Sequence, residues 1–259
     1  MSFHWPTKLQ KYGWRRQLPD HRDFHFAATH PTATYLPRHY DLSEIYGYPA
    51  CYDQGQLGSC TGNAIAGALQ ADQIRQKIPN YTPSRLFIYY YERELEGTVD
   101  QDAGAEIRDG IKVVANKGAC KETTWPYVVS RFNATPSSAA IAEASQHQAL
   151  KYMAVGQTLN ELKTAIVLGY PVVFGISVYD SFESDAAAQS GVIPMPAKSE
   201  NLLGGHAILL VGYNNYYKAF KFRNSWGPGW GDNGYGYLPY QYVLDPNLAS
   251  DFWAIETVK

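Results

Sequence analysis

Cysteine is scarce in this chain: its 259 residues include three, Cys51, Cys60 and Cys120. So few cysteines exclude the disulfide framework that holds small secreted domains together. Because the number is odd, at least one thiol stays unpaired even if Cys51 and Cys120 join. The sequence leaves open whether those two form a disulfide or whether all three thiols are reduced.

Targeting and partner signals are missing as well. Residues 1–6 do not combine a charged region with a following apolar run, so no secretory signal peptide is visible. No apolar stretch approaches the roughly 20 residues of a membrane-spanning helix. The formal net charge of −2 gives no electrostatic reason to expect nucleic acid or acidic lipid as a partner. No metal or cofactor motif is present, and we expect a monomer that is cytoplasmic or exported by a non-Sec route.

What is present is the composition of a globular protein, with 45% apolar and 18% charged residues. Tyrosine is unusually frequent, at 21 residues. This suits strands and half-buried surfaces, because the ring packs while the hydroxyl stays hydrated. The length allows one large domain or two modest ones.

The first 35 residues differ from the rest of the chain. They show no sustained helical or alternating pattern and contain three prolines and four histidines. Such a segment is either a mobile tail or an extended arm. The large side chains of Trp5, Trp14 and Phe24 favour an arm that lies on the main body. We therefore divide the chain into an N-terminal arm, residues 1–35, and one domain, residues 36–259.

Within that domain the pattern predicts helices first and strands second. An extended lead-in over 41–42 and 46–52 is followed by helices that begin at 60 and near 84 and by helices over about 105–116, 137–146 and 159–168. Strands are predicted over 152–155, 171–178, 206–213, 219–223, 234–238 and 252–258. This order favours an α+β fold with a helical lobe over about 50–130 and a β-rich lobe over about 150–259. Such two-lobe chains tend to place their site in the cleft between the lobes.

One loop presents a cysteine at the start of a helix. Gly55 and Gly58 loosen this loop, and Ser59 is a good N-cap that puts Cys60 at the first helical position. A thiol there lies at the positive end of the helix dipole, which favours the thiolate. Gln54 can add a side-chain N–H donor. Taken alone, the stretch fits an activated nucleophile and a packed structural cysteine equally well.

Two later stretches contain groups that would complete a catalytic set. His206 lies at the mouth of an apolar strand behind two glycines, and imidazole suits a base because its pKa is near neutrality. Asn224 ends the next strand, where its amide can orient a histidine ring, and Trp226 can shield that hydrogen bond from water. A core histidine and a turn with packed tryptophans are the structural alternatives.

Taken together, Gln54, Cys60, His206 and Asn224 occur in an order and spacing that resemble the papain family of cysteine peptidases. The match includes Gln-Gly ahead of Gly-Ser-Cys, Gly-His before an apolar strand, and Asn-Ser-Trp-Gly over 224–227. The resemblance covers roughly residues 36–258. It implies a papain-like fold, with a helical left lobe, an antiparallel β right lobe and the active site in the cleft between them.

The resemblance also implies roles for these residues. Cys60 would be the nucleophile, His206 its ion-pair partner and general acid–base, and Asn224 the group that orients His206. Gln54 and the Cys60 backbone N–H would form the oxyanion hole. The reaction would be peptide hydrolysis through a thioester acyl-enzyme. Further candidate contacts to an extended peptide substrate are Asp102, Gly104, Ala105, Gly205, Trp226 and Ile255.

The pocket for the second substrate side chain would then be lined by Gly204, Gly205 and residues near Ile255. Its small and apolar lining would favour an apolar or aromatic side chain. Residues 180–203, a polar and alanine-rich excursion, would shape one side of the cleft.

The sequence also departs from the family's pattern. Leu57 stands where many members have a cysteine three residues before the nucleophile, which removes that disulfide, and Thr61 replaces the usual tryptophan or tyrosine after it. Residues 1–35 are shorter than the usual inhibitory propeptide and resemble the leaders of bacterial members. They are a candidate autoinhibitory segment of a zymogen.

Three other functions stay open. A thiol acyltransferase or transpeptidase of the same layout would transfer the acyl group to an amine instead of water. A catalytically silent relative would act as a binding protein, although it has no reason to keep all four site residues. A cell-wall amidase of related layout is disfavoured by the Asn-Ser-Trp-Gly stretch.

Overall fold

The computed structural model describes residues 11–259 and has an α+β architecture. Eight α-helices lie in this part of the chain: α1 (Leu42–Tyr46), α2 (Cys60–Arg75), α3 (Arg85–Leu95), α4 (Ile107–Asn116), α5 (Ser138–Ala144), α6 (Leu159–Val167), α7 (Asp185–Ser190) and α8 (Tyr240–Leu244). The strands are β1 (His39–Asp41), β2 (Ala149–Ala154), β3 (Val172–Tyr179), β4 (Leu202–Asn214), β5 (Ala219–Arg223), β6 (Tyr235–Pro239) and β7 (Ala249–Val258).

All seven strands form one antiparallel sheet in the order β2-β7-β3-β4-β5-β6, with β1 paired to one end of β4. Helices α2 to α4 follow one another on one side of the molecule, and the sheet with its own apolar core makes up the other side. The predicted α+β fold with a helical lobe and an antiparallel β lobe is thus confirmed.

Helix α2 is the central helix between these two parts. Fourteen of its sixteen residues are buried, and it packs against both α3 and β4. Small residues allow this close packing, since Gly62 lies against the backbone of α3 and Gly67 lies against Leu209 of β4. The first residue of α2, Cys60, therefore lies at the junction of the two lobes.

Two local expectations are wrong. Ser59 does not cap α2 with its side chain, because its hydroxyl pairs with the Tyr127 hydroxyl at 2.5 Å and accepts from Asn63 at 3.0 Å. Leu42 and Tyr46, predicted to be extended, instead begin and end helix α1, which the Asp41 side chain caps by accepting from the Ser43 N–H.

The described part of the arm, residues 11–35, lies on the main body. The Trp14 side chain is 9% exposed, and the Arg108 guanidinium donates to the carboxylate of Asp23 at 2.7 Å. Phe24 is 72% exposed, so its predicted anchoring role is wrong, and the side chain buried there is Phe26. Trp5 lies outside the described residues.

Candidate active site

The Cys60 thiol is fully buried at the N-terminus of α2. Its sulfur is met by backbone N–H groups of Ala207, Gly13 and Thr61, which favour the thiolate. Burial outweighs these donors and raises the pKa of Cys60 to about 12. With the arm in place, Cys60 is therefore a neutral thiol, contrary to the thiolate expected from the helix dipole.

His206 and Asn224 meet across neighbouring strands of the sheet. His206 lies within β4 and Asn224 directly follows β5, which pairs with β4. The ring Nε2 of His206 lies 2.8 Å from Oδ1 of Asn224, and the same oxygen accepts from the Ser225 N–H at 2.8 Å. Because that oxygen is an acceptor, Nε2 carries the proton of the neutral ring.

The second ring nitrogen of His206 has a different environment. Nδ1 is buried and has no hydrogen-bond partner among residues 11–259. Burial lowers the pKa of His206 to about 4, and the bond to Asn224 only partly opposes this. His206 is therefore neutral at physiological pH in this closed arrangement.

Aromatic rings enclose the imidazole. Trp226 stacks on His206 with ring centroids 5.0 Å apart and an angle of 27°. Phe182 and the arm residue Tyr12 meet His206 edge-on at 6.5 and 6.2 Å. These rings keep water from the His206–Asn224 bond, which strengthens it.

Gln54 is buried beside these groups. Its amide Nε2 donates to the carbonyl of Leu57 at 2.9 Å and to the carbonyl of Lys11 in the arm at 3.1 Å. Its Oε1 accepts from the Ser225 hydroxyl at 2.6 Å. Ser225 directly follows Asn224, so one turn after β5 holds both Gln54 and Asn224.

A buried arginine supports the loop that contains Gln54, which the sequence did not indicate. Arg85 donates to the carbonyl of Asp53 at 3.0 Å and pairs with Glu122 at 2.7 Å. Its guanidinium stacks 4.0 Å from the Tyr127 ring centroid, and the Tyr127 hydroxyl donates to the Gln54 carbonyl at 2.8 Å.

Asp102 ties the same loop to the chain segment before α4. Its carboxylate accepts from the Gly58 N–H at 3.0 Å, from the Tyr89 hydroxyl at 2.6 Å and from Lys11 at 2.7 Å. Burial raises the pKa of Asp102, but the hydrogen bonds from Lys11, Tyr89 and Gly58 outweigh it and hold the pKa below its ordinary value. Asp102, predicted as a substrate contact, thus contacts the loop and the arm.

The segment at 104–105 and Gly205 both pair with the arm backbone. The Ala105 N–H donates to the Gly13 carbonyl at 2.7 Å, and the Arg15 N–H donates to the Ala105 carbonyl at 3.0 Å. The Trp14 N–H donates to the Gly205 carbonyl at 2.9 Å. Gly104 has a positive φ of 69°, and a side chain there would overlap the Gly13 backbone.

The Trp14 side chain fills a pocket that opens beside this backbone pairing. Its indole lies where side chains at Gly175 or Gly205 would overlap it, and its Nε1–H donates to Oδ2 of Asp251 at 3.0 Å. Ile255, the residue expected in this pocket, is buried further along β7 and pairs with Tyr152 of β2. Sequence reasoning missed Asp251, because its position depends on strand register.

The two other cysteines, Cys51 and Cys120, form no disulfide with each other or with Cys60. Cys51, Cys60 and Cys120 are all free and buried, so the all-reduced arrangement is the one observed. Among residues 11–259 no group of three or more histidine, cysteine or acidic side chains is arranged to hold a metal ion. Within the same range, no helix combines the length and apolar character needed to cross a membrane.

Comparisons with known proteins agree with this geometry. The sequence model of the papain family cysteine proteases matches residues 36–243. The crystal structure of xylellain, a cysteine protease from Xylella fastidiosa, superposes with a TM-score of 0.89 and 39% sequence identity over 100% of both chains. That match includes the arm, which the family model does not.

Two curated sequences show how far the similarity extends. An uncharacterised peptidase C1-like protein of Acanthamoeba polyphaga mimivirus is 40% identical over 97% of this chain and 88% of its own length. Cathepsin J of Mus musculus is 28% identical over 77% of this chain, and the match spans 59% of cathepsin J.

Proposed function

The chain belongs to the papain family of cysteine proteases, and we propose that Cys60, His206, Asn224 and Gln54 are its catalytic residues. The observation that carries the proposal is their convergence on one buried spot. Asn224 holds the Nε2 side of His206 at 2.8 Å, which leaves Nδ1 for exchange of a proton with the thiol. Gln54 directs an N–H donor to the Lys11 carbonyl of the arm, and the arm's Gly13 contacts the Cys60 sulfur two residues later.

The reaction proposed for this site has two steps. In the first, the Cys60 thiolate attacks the peptide carbonyl carbon, and His206 gives its proton to the departing amine as the C–N bond breaks. The oxygen of the tetrahedral intermediate is held by the Gln54 amide and the Cys60 N–H. In the second step, water attacks the thioester carbon and His206 takes a proton from that water. The C–S bond then breaks, which releases the carboxylic acid and restores the Cys60 thiolate beside the His206 imidazolium.

We also infer that the arm inhibits the enzyme by occupying the substrate cleft. Its backbone pairs with Ala105 and Gly205, and its Lys11 carbonyl takes the Gln54 donor. In a productive substrate, the residue in the Trp14 pocket would come before the residue whose carbonyl is bound by Gln54. In the arm, Trp14 comes after Lys11, whose carbonyl Gln54 binds. The arm would therefore run in the opposite direction and would not be presented for cleavage.

The arm also changes the chemistry of the nucleophile. Gly13 and Tyr12 cover Cys60 and His206, and the buried groups are held neutral, with pKa values of about 12 and about 4. Departure of the arm admits water and lets the pair form a thiolate and an imidazolium, the reactive form.

Two measurements test the proposal. An epoxide-type thiol-protease inhibitor is expected to label Cys60 in the chain that begins at Leu36, and the label should be absent in Cys60→Ala and much weaker in His206→Ala. Even labelling of Cys51, Cys60 and Cys120 would contradict an activated site. Equal peptidase activity of the full chain and the chain from Leu36 would contradict inhibition by the arm.

The product of the reaction separates hydrolysis from acyl transfer. With a peptide substrate and an added amine, hydrolysis gives the free acid, whereas a transpeptidase gives the new amide. We expect the acid as the main product.

A further inference from the structure

The two N–H groups proposed to hold the oxyanion lie in different parts of one loop. One is the side-chain amide of Gln54, and the other is the backbone N–H of Cys60, six residues later. Leu57 stands between them where many family members have a cysteine, so the loop has no disulfide at this point. Because a shift of about 1 Å in a catalytic group can cost roughly a hundredfold in rate, the spacing of the two donors must be fixed in another way.

A tyrosine hydroxyl bridges the two parts of the loop. The Tyr127 hydroxyl donates to the Gln54 backbone carbonyl at 2.8 Å. It also lies 2.5 Å from the hydroxyl of Ser59, which directly precedes Cys60. Burial raises the pKa of Tyr127, so this hydroxyl keeps its proton at physiological pH. Because that one proton goes to Gln54, the Ser59 hydroxyl is the donor of the second bond.

The hydrogen bonds continue beyond Ser59 in the same direction. The Ser59 hydroxyl accepts from the Asn63 side-chain amide at 3.0 Å, and Oδ1 of Asn63 accepts from the Arg85 guanidinium at 3.0 Å. All four bonds of the series from Arg85 to Gln54 are buried or half-buried. Each bond in such a series polarises the next, and the positive charge at its start strengthens the effect.

Asn63 also sets the direction of the Cys60 N–H. The Ser59 carbonyl accepts from the Asn63 backbone N–H at 3.0 Å and from the Asn63 side-chain amide at 2.9 Å. In a planar trans peptide the N–H points opposite to the preceding carbonyl. The two bonds that fix the Ser59 carbonyl therefore also fix the Cys60 N–H, which points out of the N-terminus of α2.

We propose that Tyr127 is a positioning residue of the oxyanion hole, which holds the Gln54 and Cys60 donors at the spacing that the oxyanion needs. The proposal rests on the peptidase function proposed above. It also gives a reason for the missing helix cap, because the Ser59 hydroxyl binds Tyr127 instead of capping α2. Loss of the Tyr127 hydroxyl alone lets the loop relax, while the ring can stay on the Arg85 guanidinium.

The test separates oxyanion stabilisation from the amount of open enzyme and of thiolate. It uses the full-length chain with Trp14→Ala, which weakens the arm, and the same chain with Tyr127→Phe added. Two rate constants are measured, kcat/KM for a fluorogenic peptide and the rate constant for modification of Cys60 by a dipyridyl disulfide. Both depend on the open form and on the Cys60 thiolate. The disulfide reaction forms an S–S bond and creates no oxyanion on carbon, so the ratio of the two constants reports the oxyanion hole.

We expect Tyr127→Phe to lower the ratio of peptide hydrolysis to thiol modification about tenfold, less than complete removal of an oxyanion donor does. In a Gln54→Ala background one donor is already absent, so Tyr127→Phe should lower the ratio by no more than about threefold. Ser59→Ala removes the other end of the bridge and should lower the ratio as Tyr127→Phe does.

The matched control is Tyr90→Phe in the same Trp14→Ala chain. Tyr90 lies in α3 of the same lobe, and its hydroxyl pairs with the Thr135 hydroxyl at 3.1 Å. Loss of this hydroxyl should leave the ratio unchanged. An unchanged ratio in Tyr127→Phe would overturn the inference, as would an equal loss with and without Gln54→Ala.

The proposed function has a separate outcome. If the dipyridyl disulfide modifies Cys60 in the Trp14→Ala chain but no peptide is hydrolysed, the proposed peptidase function is overturned, and the role of Tyr127 with it. Peptide hydrolysis with a ratio that Tyr127→Phe does not change would overturn the role of Tyr127 alone.

Discussion

The side-chain amide of Gln54 donates to the carbonyl oxygen of Lys11 at 3.1 Å. The donor assigned to the oxyanion hole is thus taken by a carbonyl of the protein's own arm. The Lys11 carbonyl satisfies a buried amide that also donates to the Leu57 carbonyl at 2.9 Å. The Gln54 amide that binds the Lys11 carbonyl in the closed structure is the same group that is proposed to bind the oxyanion after the arm has left.

Gln54→Ala is expected to lower kcat of the chain from Leu36 about 10²- to 10³-fold, the usual effect of removing one oxyanion donor. The loss should fall mainly on kcat, because the interaction is made in the transition state. Gln56→Ala, at an exposed position two residues later, is the matched control and should change little. A KM effect with unchanged kcat would argue against the oxyanion role.

Trp14→Ala is expected to raise the peptidase activity of the full-length chain. Truncating a buried tryptophan costs about 3–5 kcal/mol, and that loss falls on the closed form, so the open fraction rises by roughly two to four orders of magnitude or until opening is complete. Tyr35→Ala, an arm aromatic that is 75% exposed, should leave activity unchanged. Equal effects of the two substitutions would contradict a specific anchor.

In the Cys60→Ala variant, whose open form has no thiolate to pair with the imidazolium, lower pH is expected to loosen the arm through His206. In the closed form the pKa of His206 is lowered to about 4, whereas an exposed histidine has a pKa of about 6.5. Between these values the open form takes up a proton that the closed form does not, so opening becomes easier as the pH falls from about 6.5 to about 4.

Hydrogen exchange of the Trp14 and Arg15 amides, corrected for intrinsic rates, measures this opening because both amides bond to the body. Their protection should fall with pH over that range. His206→Gln added to Cys60→Ala should remove the pH dependence, and amides in the middle of α2 should not show it. A pH dependence that persists in His206→Gln would assign the effect to other groups.

Asp102→Asn is expected to lower both stability and kcat of the chain from Leu36. Asp102 holds the Gly58 N–H at 3.0 Å, two residues before Cys60, at the loop where Leu57 rules out a disulfide. Weakening a hydrogen bond to a charged group costs about 1.5–3 kcal/mol, and a looser loop shifts Gln54 and Cys60. Asp100→Asn, at an exposed position two residues earlier, is the control. Unchanged thermal unfolding and kcat in Asp102→Asn would contradict this role.

Glu92→Gln is expected to stabilise the protein more at pH 8 than at pH 5. Glu92 is fully buried, accepts from the Thr61 hydroxyl at 2.7 Å, and burial raises its pKa to about 8. The unfolded chain ionises Glu92 above about pH 4.3, so the wild-type protein loses stability as the pH rises from there to about 8.

The glutamine side chain of Glu92→Gln does not ionise, so the variant does not lose stability in this way as the pH rises. Urea unfolding at the two pH values should therefore show a relative gain of at least about 1 kcal/mol for Glu92→Gln on raising the pH. Glu94→Gln, on the same helix but 44% exposed at its side chain, should show no such change. The same stability difference at pH 5 and pH 8 would contradict a buried protonated Glu92.

Local sequence patterns predicted most of the fold. The predicted α2, α4 and α6 helices and the strands of the β lobe lie within a few residues of the observed ones, because their apolar periodicity and their glycine and proline boundaries are local signals. Short elements such as α1 and α7 were missed, since five or six residues contain too little periodicity to register.

The residues of the candidate site likewise fall into those that the sequence indicates and those that only the structure reveals. Gln54, Cys60, His206 and Asn224 are visible in the sequence because their residue types and local contexts belong to one chemistry. The support from Arg85 and the tie from Asp102 are not visible, because each joins positions that are distant in the chain and come together only through packing.

The sequence by itself therefore determined the family, the lobes and the four groups proposed to react. Only the tertiary structure decided that Ser59 leaves the helix cap for Tyr127, that the arm covers Cys60 and keeps it neutral, and that Asp251 faces Trp14. The physical reason is that burial sets a pKa and strand register sets a side chain's direction. Both depend on neighbours that are far apart in sequence.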